Sequence, residues 1–296
     1  MRSEANDGWV FPAAPFLLCS SALHGAVHLN AEVMMLRWFV FTAFLLASAI
    51  PAGAQFVAPG GSIPVVASLP GANGTFWRSD VHILNLNPSA TSVVLVLFPE
   101  IKRNGPVFDI QESDPIVIEG NGQVTLLNVV TGVFEVRNKK GALYAYSLDG
   151  APIVLSSRTY TPNPVAPGGS YGLNVTGILV ADTAWIAGVE DDGFYRTSVG
   201  IFVPAGASEG QEVGFTVTIF DADANQVASG SLVFDQPGMQ QKDLQYFGLG
   251  DPLLDGWIEI RCHDPLALWY AYATVTDNAS GDGVYRPAQT FQSSIP

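Results

Sequence analysis

Cysteine, histidine and basic residues are all scarce in this chain, and each scarcity removes a class of function. The 296 residues hold two cysteines, Cys19 and Cys262, and four histidines. Once residues 1–54 are set aside as a leader and signal segment, only Cys262, His82 and His263 remain. A single cysteine forms no intramolecular disulfide, and these three residues do not supply a zinc site built from three or four such ligands. Lysine and arginine number 13 against 27 aspartates and glutamates, a net charge of −14. Phosphate backbones and anionic lipids are bound by clustered Lys and Arg, so nucleic acid is excluded as a partner. No stretch keeps a helical hydrophobic period over three turns, which argues against an α/β enzyme fold.

Long apolar runs are also rare. The run from Trp38 to Ile50 has 13 residues, short of the roughly 20 that span a bilayer. Arg37 precedes it, Pro51 ends it, and Ala52-Gly53-Ala54 supplies the small residues that a signal peptidase needs. Residues 34–54 therefore read as a secretory signal peptide cut between Ala54 and Gln55. Residues 1–33 show no fold pattern and lead to two candidate start methionines, Met34 and Met35; they read as a leader from a start assigned too early. The exported product is expected outside the cytoplasm, extracellular or periplasmic, with no membrane insertion after cleavage. It keeps 11 basic and 24 acidic residues, net −13.

What is present is short, alternating and β-prone. Val81–Leu86, Thr91–Phe98, Pro115–Glu119, Gln123–Val129, Ile153–Tyr160, Val199–Val203, Val213–Phe220, Gly230–Phe234, Trp257–Cys262 and Leu268–Val275 each read as a strand bounded by turn residues. In the last strand but one, Ile258, Ile260 and Cys262 share a face, so Cys262 reads as a small buried hydrophobe. One pattern occurs twice. Gly74-Thr-Phe-Trp-Arg-Ser-Asp-Val-His-Ile83 matches Asp192-Gly-Phe-Tyr-Arg-Thr-Ser-Val-Gly-Ile201, Val96–Phe98 matches Thr218–Phe220, Gly141 matches Gly256, and Gly169-Ser-Tyr171 matches Gly283-Val-Tyr285. The expected fold is all-β: two tandem antiparallel immunoglobulin-like β-sandwich domains, residues 58–175 and 180–290, each with about seven strands. One continuous pseudo-symmetric sandwich is the other arrangement the repeat allows.

The segment Gly74–Asp80 with Asn85-Leu-Asn87-Pro88, and Tyr272–Asp282, resemble signatures in repeats of uncharacterised secreted bacterial proteins. The resemblance covers most of residues 58–290. It implies a bacterial extracytoplasmic β-sandwich and carries no activity with it. The first half departs from the pattern, with Thr161-Pro-Asn-Pro-Val-Ala-Pro167 in place of the Asp-Asn loop.

Several residue groups suggest chemistry. Gly168-Gly-Ser170-Tyr-Gly172 fits the G-x-S-x-G of serine hydrolases, but that motif needs a strand before the serine and a helix after it. Asp277, Asn278 and Asp282 are candidate calcium ligands, since calcium takes oxygen ligands from short loops; Asp221, Asp223 and Asn225 form a weaker set. Asx turns use the same residues without metal. The aromatic-Arg-hydroxyl triplets, Trp77-Arg78-Ser79 and Tyr195-Arg196-Thr197, offer a ligand platform of Trp77, Arg78, Tyr195 and Arg196 through stacking and cation–π contacts. Their recurrence favours a structural use, because a scaffold need returns in each copy of a repeat. Sequons stand at Asn73, Asn174 and Asn278. The reading that follows is an exported, non-catalytic surface, adhesion or assembly module, with a carbohydrate-binding protein using exposed tryptophans as the alternative and a Ser170 hydrolase behind it. The expected partner is a protein or glycan at the cell surface, and no cofactor is expected beyond calcium.

Overall fold

The computed structural model describes residues 58–290 apart from 72–73, 103–108, 164–167, 181 and 206–211. The leader, the signal segment, the Ala54–Gln55 junction and Asn73 lie outside the described residues.

Up to residue 175 the strands are β1 (Gly60–Pro70), β2 (Phe76–Asn85), β3 (Thr91–Pro99), β4 (Gln111–Glu112), β5 (Ile116–Ile118), β6 (Gln123–Leu126), β7 (Lys139–Ser147), β8 (Ile153–Pro162) and β9 (Ser170–Val175), with a short helix α1 (Val129–Gly132). They form one nine-stranded sheet in the order β4-β3-β7-β1-β2-β8-β9, with β5 beside β3 and β6 beside β2. β1 joins the parts by pairing with β7 along most of its length and with β2 at Ser68–Pro70. The expected strand Gln123–Val129 stops early. Asn128 takes φ 46°, Asp80 accepts its N–H at 2.7 Å, and α1 begins.

From residue 179 the strands are β10 (Leu179–Val180), β11 (Thr183–Asp191), β12 (Tyr195–Ala205), β13 (Val213–Asp221), β14 (Gln226–Phe234), β15 (Gly238–Asp243), β16 (Leu253–Cys262), β17 (Leu268–Asp277) and β18 (Gly283–Pro287), with a 3-10 turn at Leu244–Phe247. They form two sheets, β11-β16-β13-β14 and β10-β17-β12-β15, the second with β18 beside β17. The strand pairs are antiparallel throughout, and no sheet mixes strands from before residue 175 with strands from after 179.

The alternation in β13 explains the sandwich. Its inward residues Val213, Phe215, Val217 and Ile219 share one core with Ile258 and Ile260 of β16, Val199 and Ile201 of β12, and Ala271 and Ala273 of β17. The β11-β16-β13-β14 sheet thus packs face to face on the β12-β17 sheet. On the other face of β12 and β17, Phe202, Tyr270 and Tyr272 are also buried. Phe202 lies 5.1 Å from Phe98 of β3 and 5.6 Å from Tyr270. Burying such a ring contributes about 1.5–3 kcal/mol. Desolvation pushes the Tyr144, Tyr270 and Tyr272 hydroxyls above their ordinary titration range. Gly200 is required beneath Tyr272, since a Cβ there would stand 2.1 Å from the tyrosine ring. Polar ties edge this contact: Lys140 Nζ meets Glu100 at 3.0 Å and donates to Gln241 Oε1 at 2.9 Å, and the Ile101 N–H donates to the Met239 carbonyl. Covered on both faces, β3 and β7 carry nearly continuous apolar runs.

Candidate functional site

The aromatic-Arg-hydroxyl triplets open β2 and β12, and the hydroxyl does the same job in both. Ser79 is fully buried; its Oγ accepts the Ala67 N–H of β1 at 2.8 Å and shares a hydrogen bond with Thr159 at 2.7 Å. Thr197, also fully buried, donates to the Glu190 carbonyl of β11 at 2.5 Å. Each hydroxyl fastens its strand to the strand before it. The flanking residues differ. Arg78 lies over the Phe76 ring at 5.5 Å, and the Trp77 indole packs so closely on the preceding turn that a Cβ on Gly71 would stand 2.5 Å from its Nε1. Arg196 instead donates to Asn278 Oδ1 at 2.5 Å.

That bond brings together two features that the sequence left apart. Tyr195 pairs with Asp277 across β12 and β17, so the Asp277–Asp282 loop sits against the β11–β12 hairpin. Asn278 donates its side-chain amide to the Gly193 carbonyl and its backbone N–H to the Phe194 carbonyl. Asp277 Oδ1 accepts the Ala279 and Ser280 N–H groups at 2.7 and 3.0 Å, and Asp282 Oδ1 accepts the Gly283 N–H. The Ser280 and Ala279 N–H groups hold the Asp277 carboxyl below the usual carboxylate range. These oxygens serve as Asx-turn acceptors for the loop's own backbone. Gly281 also lies against Thr75, where a Cβ would stand 3.8 Å from Thr75 Cγ2, so the loop reaches the start of the first triplet. At the hairpin tip Asp192 accepts the Phe194 and Tyr195 N–H groups, and the Phe194 ring is left 77% exposed.

The other candidates are dispersed. Ser170 starts β9, with a strand after it where the hydrolase motif needs a helix, and its Oγ accepts from Arg158 at 2.5 Å. His82 bonds Thr125 in the first sheet and His263 bonds Thr216 in the β11-β16-β13-β14 sheet. Asp221 Oδ1 accepts the Asp223 and Asn225 N–H groups, and the Asn225 bonds lower its carboxyl. Cys262 is buried, and desolvation raises its thiol. Among the described residues no group of three or more His, Cys, Asp and Glu is placed to hold a metal ion. Trp269 is 1% exposed and belongs to the core. Trp257 stacks flat on Phe220, centroids 3.9 Å apart and planes 6° apart. That pair stands on the outer face of its sheet beside the Glu259–Arg261 ion pair. The outer-face stack could have been found in the sequence only from the register that sets Trp257 opposite Phe220.

No family model matches the chain, and no curated protein matches its sequence. Among solved structures it is similar to Thermotoga maritima 1070, with 10% identity over 39% of this chain and 98% of that one and a TM-score of 0.32. It is also similar to the Anabaena sensory rhodopsin transducer, with 16% identity over 36% and 91% and a TM-score of 0.26. The N-terminal CBM22-1-CBM22-2 tandem domain of Paenibacillus barcinonensis Xyn10C matches at 12% identity over 76% and 85%, with a TM-score of 0.22. Scores this low assign neither a family nor a function.

Proposed function

We propose that this chain is an exported, non-catalytic β-sandwich protein, released by cleavage between Ala54 and Gln55, that serves as a cell-surface, adhesion or assembly module. The observation that carries this reading is where the reactive-looking side chains spend their bonds. Ser79, Thr197, Asp277, Asn278, Arg196 and Asp221 all fasten the chain to itself. Ser170, His82 and His263 are each bound to other partners in separate places. Function then falls to edges and loop tips. Two domains, residues 58–175 and 180–290, belong to the same proposal. Its support is the correspondence of β4/β5-β3-β7-β1 with β14-β13-β16-β11, and of β6-β2-β8-β9 with β15-β12-β17-β18. Gly141 and Gly256 add to it, since a Cβ would stand 2.2 Å from the Phe98 oxygen in one and 2.5 Å from the Phe220 oxygen in the other. The pairings β12–β15 and β13–β16 are those of strands B–E and C–F in an immunoglobulin sandwich, whereas β17 joins β12 where strand G would join F.

The test is turnover of short-chain esters by the exported protein. The expected result is no hydrolysis above buffer and no difference in Ser170→Ala; hydrolysis lost in Ser170→Ala overturns the reading. A carbohydrate-binding role is the second reading, favoured by the Trp257–Phe220 stack on an open sheet face. Retention by neutral polysaccharides in affinity electrophoresis, lost in Trp257→Ala, would establish it in place of the first.

A further inference from the structure

Arg78 on β2 and Arg158 on β8 are both exposed, and neither forms an ion pair among the described residues. The chain has 27 acidic residues for its 13 basic ones, so carboxylates are plentiful and these two guanidiniums are still left without one. The register brings them together. β2 and β8 are neighbours, with Arg78 opposite Tyr160 and Asp80 opposite Arg158. Alternation puts Phe76, Arg78, Asp80, Arg158 and Tyr160 on the outer face, since Ser79, Val81, Ser157 and Thr159 are buried beneath. Each guanidinium lies over a ring two residues along its own strand, Arg78 over Phe76 at 5.5 Å and Arg158 over Tyr160 at 5.1 Å. Both side chains therefore lean toward the same end of the sheet. Arg158 reaches on to the Ser170 Oγ of β9, and Ser170 pairs with Pro162. On the other side of β8, the Phe76 N–H donates to Thr161 Oγ1 at 3.1 Å. The two guanidiniums thus stand on either side of Tyr160 and Pro162.

The space between them is kept clear. Gly172 is opposite Tyr160 on β9, where a Cβ would stand 2.8 Å from Tyr160 Cβ. Asp80, which shares this face, accepts the Asn128 N–H at 2.7 Å. The other half shows the contrast: there the matching Arg196 is held by Asn278, whereas the first half has Thr161–Pro167 at that place and leaves Arg78 to its ring. A guanidinium stacked on a ring keeps its N–H edge for an oxyanion, and a carboxylate fits that edge with two hydrogen bonds. Extended peptides dock on sheet edges, where backbone groups are free; this is a sheet face, and what it adds is the side-chain hydroxyl of Ser170 and the exposed amide of Asn174, opposite Arg158. A net charge of −14 opposes a densely charged polymer. The ligand that fits is a sugar acid, one carboxylate on a ring of hydroxyls. We propose that the outer face of β2, β8 and β9 binds a uronic acid residue of a glycan, its carboxylate held between Arg78 and Arg158. This rests on the surface-module reading above and fails separately from it, because the ester test and the Trp257 test address other residues.

Isothermal titration of the exported protein with trigalacturonate and with glucuronosyl-xylotriose tests it, with xylotriose and tetraglutamate as the uncharged and the peptide comparisons. At least one acid sugar is expected to bind with a Kd of about 1 mM or tighter, and xylotriose and tetraglutamate at least about tenfold more weakly. Arg78→Gln with Arg158→Gln should weaken the acid sugar at least about tenfold. Lys102→Gln with Lys242→Gln removes two charges elsewhere and should leave binding unchanged. Thermal melting confirms that the variants stay folded. Failure of both acid sugars to bind, xylotriose or tetraglutamate binding as tightly, an Arg78/Arg158 variant that binds like the wild type, or an equal loss in the two-lysine variant would each overturn the proposal.

Discussion

β3 and β13 differ in a way that shows where each lies. β3 reads Thr-Ser-Val-Val-Leu-Val-Leu-Phe-Pro and is buried on both faces from Val93 to Phe98, because the sheet of β12 and β17 covers the side that a lone sandwich would leave to solvent. β13 reads Val-Gly-Phe-Thr-Val-Thr-Ile-Phe-Asp and alternates, with its polar face half open. A continuous apolar run therefore marks the middle of the stack and strict alternation marks its outside. The inner strands hold the molecule together; the outer sheet is the one with surface to spare.

Substitutions can break or sharpen this contrast. The largest effect is expected from Phe202→Ala, which empties the contact with Phe98 and Tyr270 and should cost about 3–5 kcal/mol in denaturant unfolding. Thr218→Ala on the outer face of β13 should stay within about 0.5 kcal/mol. Comparable losses for the two would erase the distinction. Next comes Ser79→Ala, which orphans the buried Ala67 N–H and should cost about 1–3 kcal/mol, with Thr197→Ala shifting the melting temperature in the same direction. Smaller still is the pH effect. The Asp149, Asp221 and Asp277 carboxyls are lowered chiefly by bonds from Thr91, Asn225 and Ser280 respectively. Their contribution is present above the unfolded value of about 3.9 and is lost as pH falls through the lower folded values. Melting temperature should thus drop below about pH 4, and less so in a variant with all three changed to Asn. Smallest is calcium: with Asp277 and Asp282 oxygens already accepting backbone N–H groups, adding calcium should leave the melting temperature unchanged, and a rise would revive the loop as a metal site.

Much of the fold was legible in the sequence. Alternating segments such as Val213–Phe220 and Trp257–Cys262 lie within β13 and β16, and the Gly/Asn/Asp punctuation falls between strands. β1 escaped because its pattern is masked. It is buried on both faces and so does not alternate, and it carries Pro64 inside the irregularity between Ile63 and Val66. β15 escaped because Gly238-Met-Gln-Gln-Lys-Asp243 is polar, yet Met239 and Gln240 are buried and Gln240 donates to the Val233 carbonyl. At the candidate site, single residues were visible but their junction was not. The Arg196–Asn278 bond spans 82 residues of sequence and depends on the β12–β17 register.

Amide hydrogen exchange tests most directly the claim that the inner strands fasten the molecule and the outer sheet is held less tightly. The amides of β3, β7 and β12 should exchange slowest, and those of β14, at the end of the outer sheet, should exchange faster. A β14 as protected as β3, or inner strands that exchange as fast as the outer ones, would contradict the account.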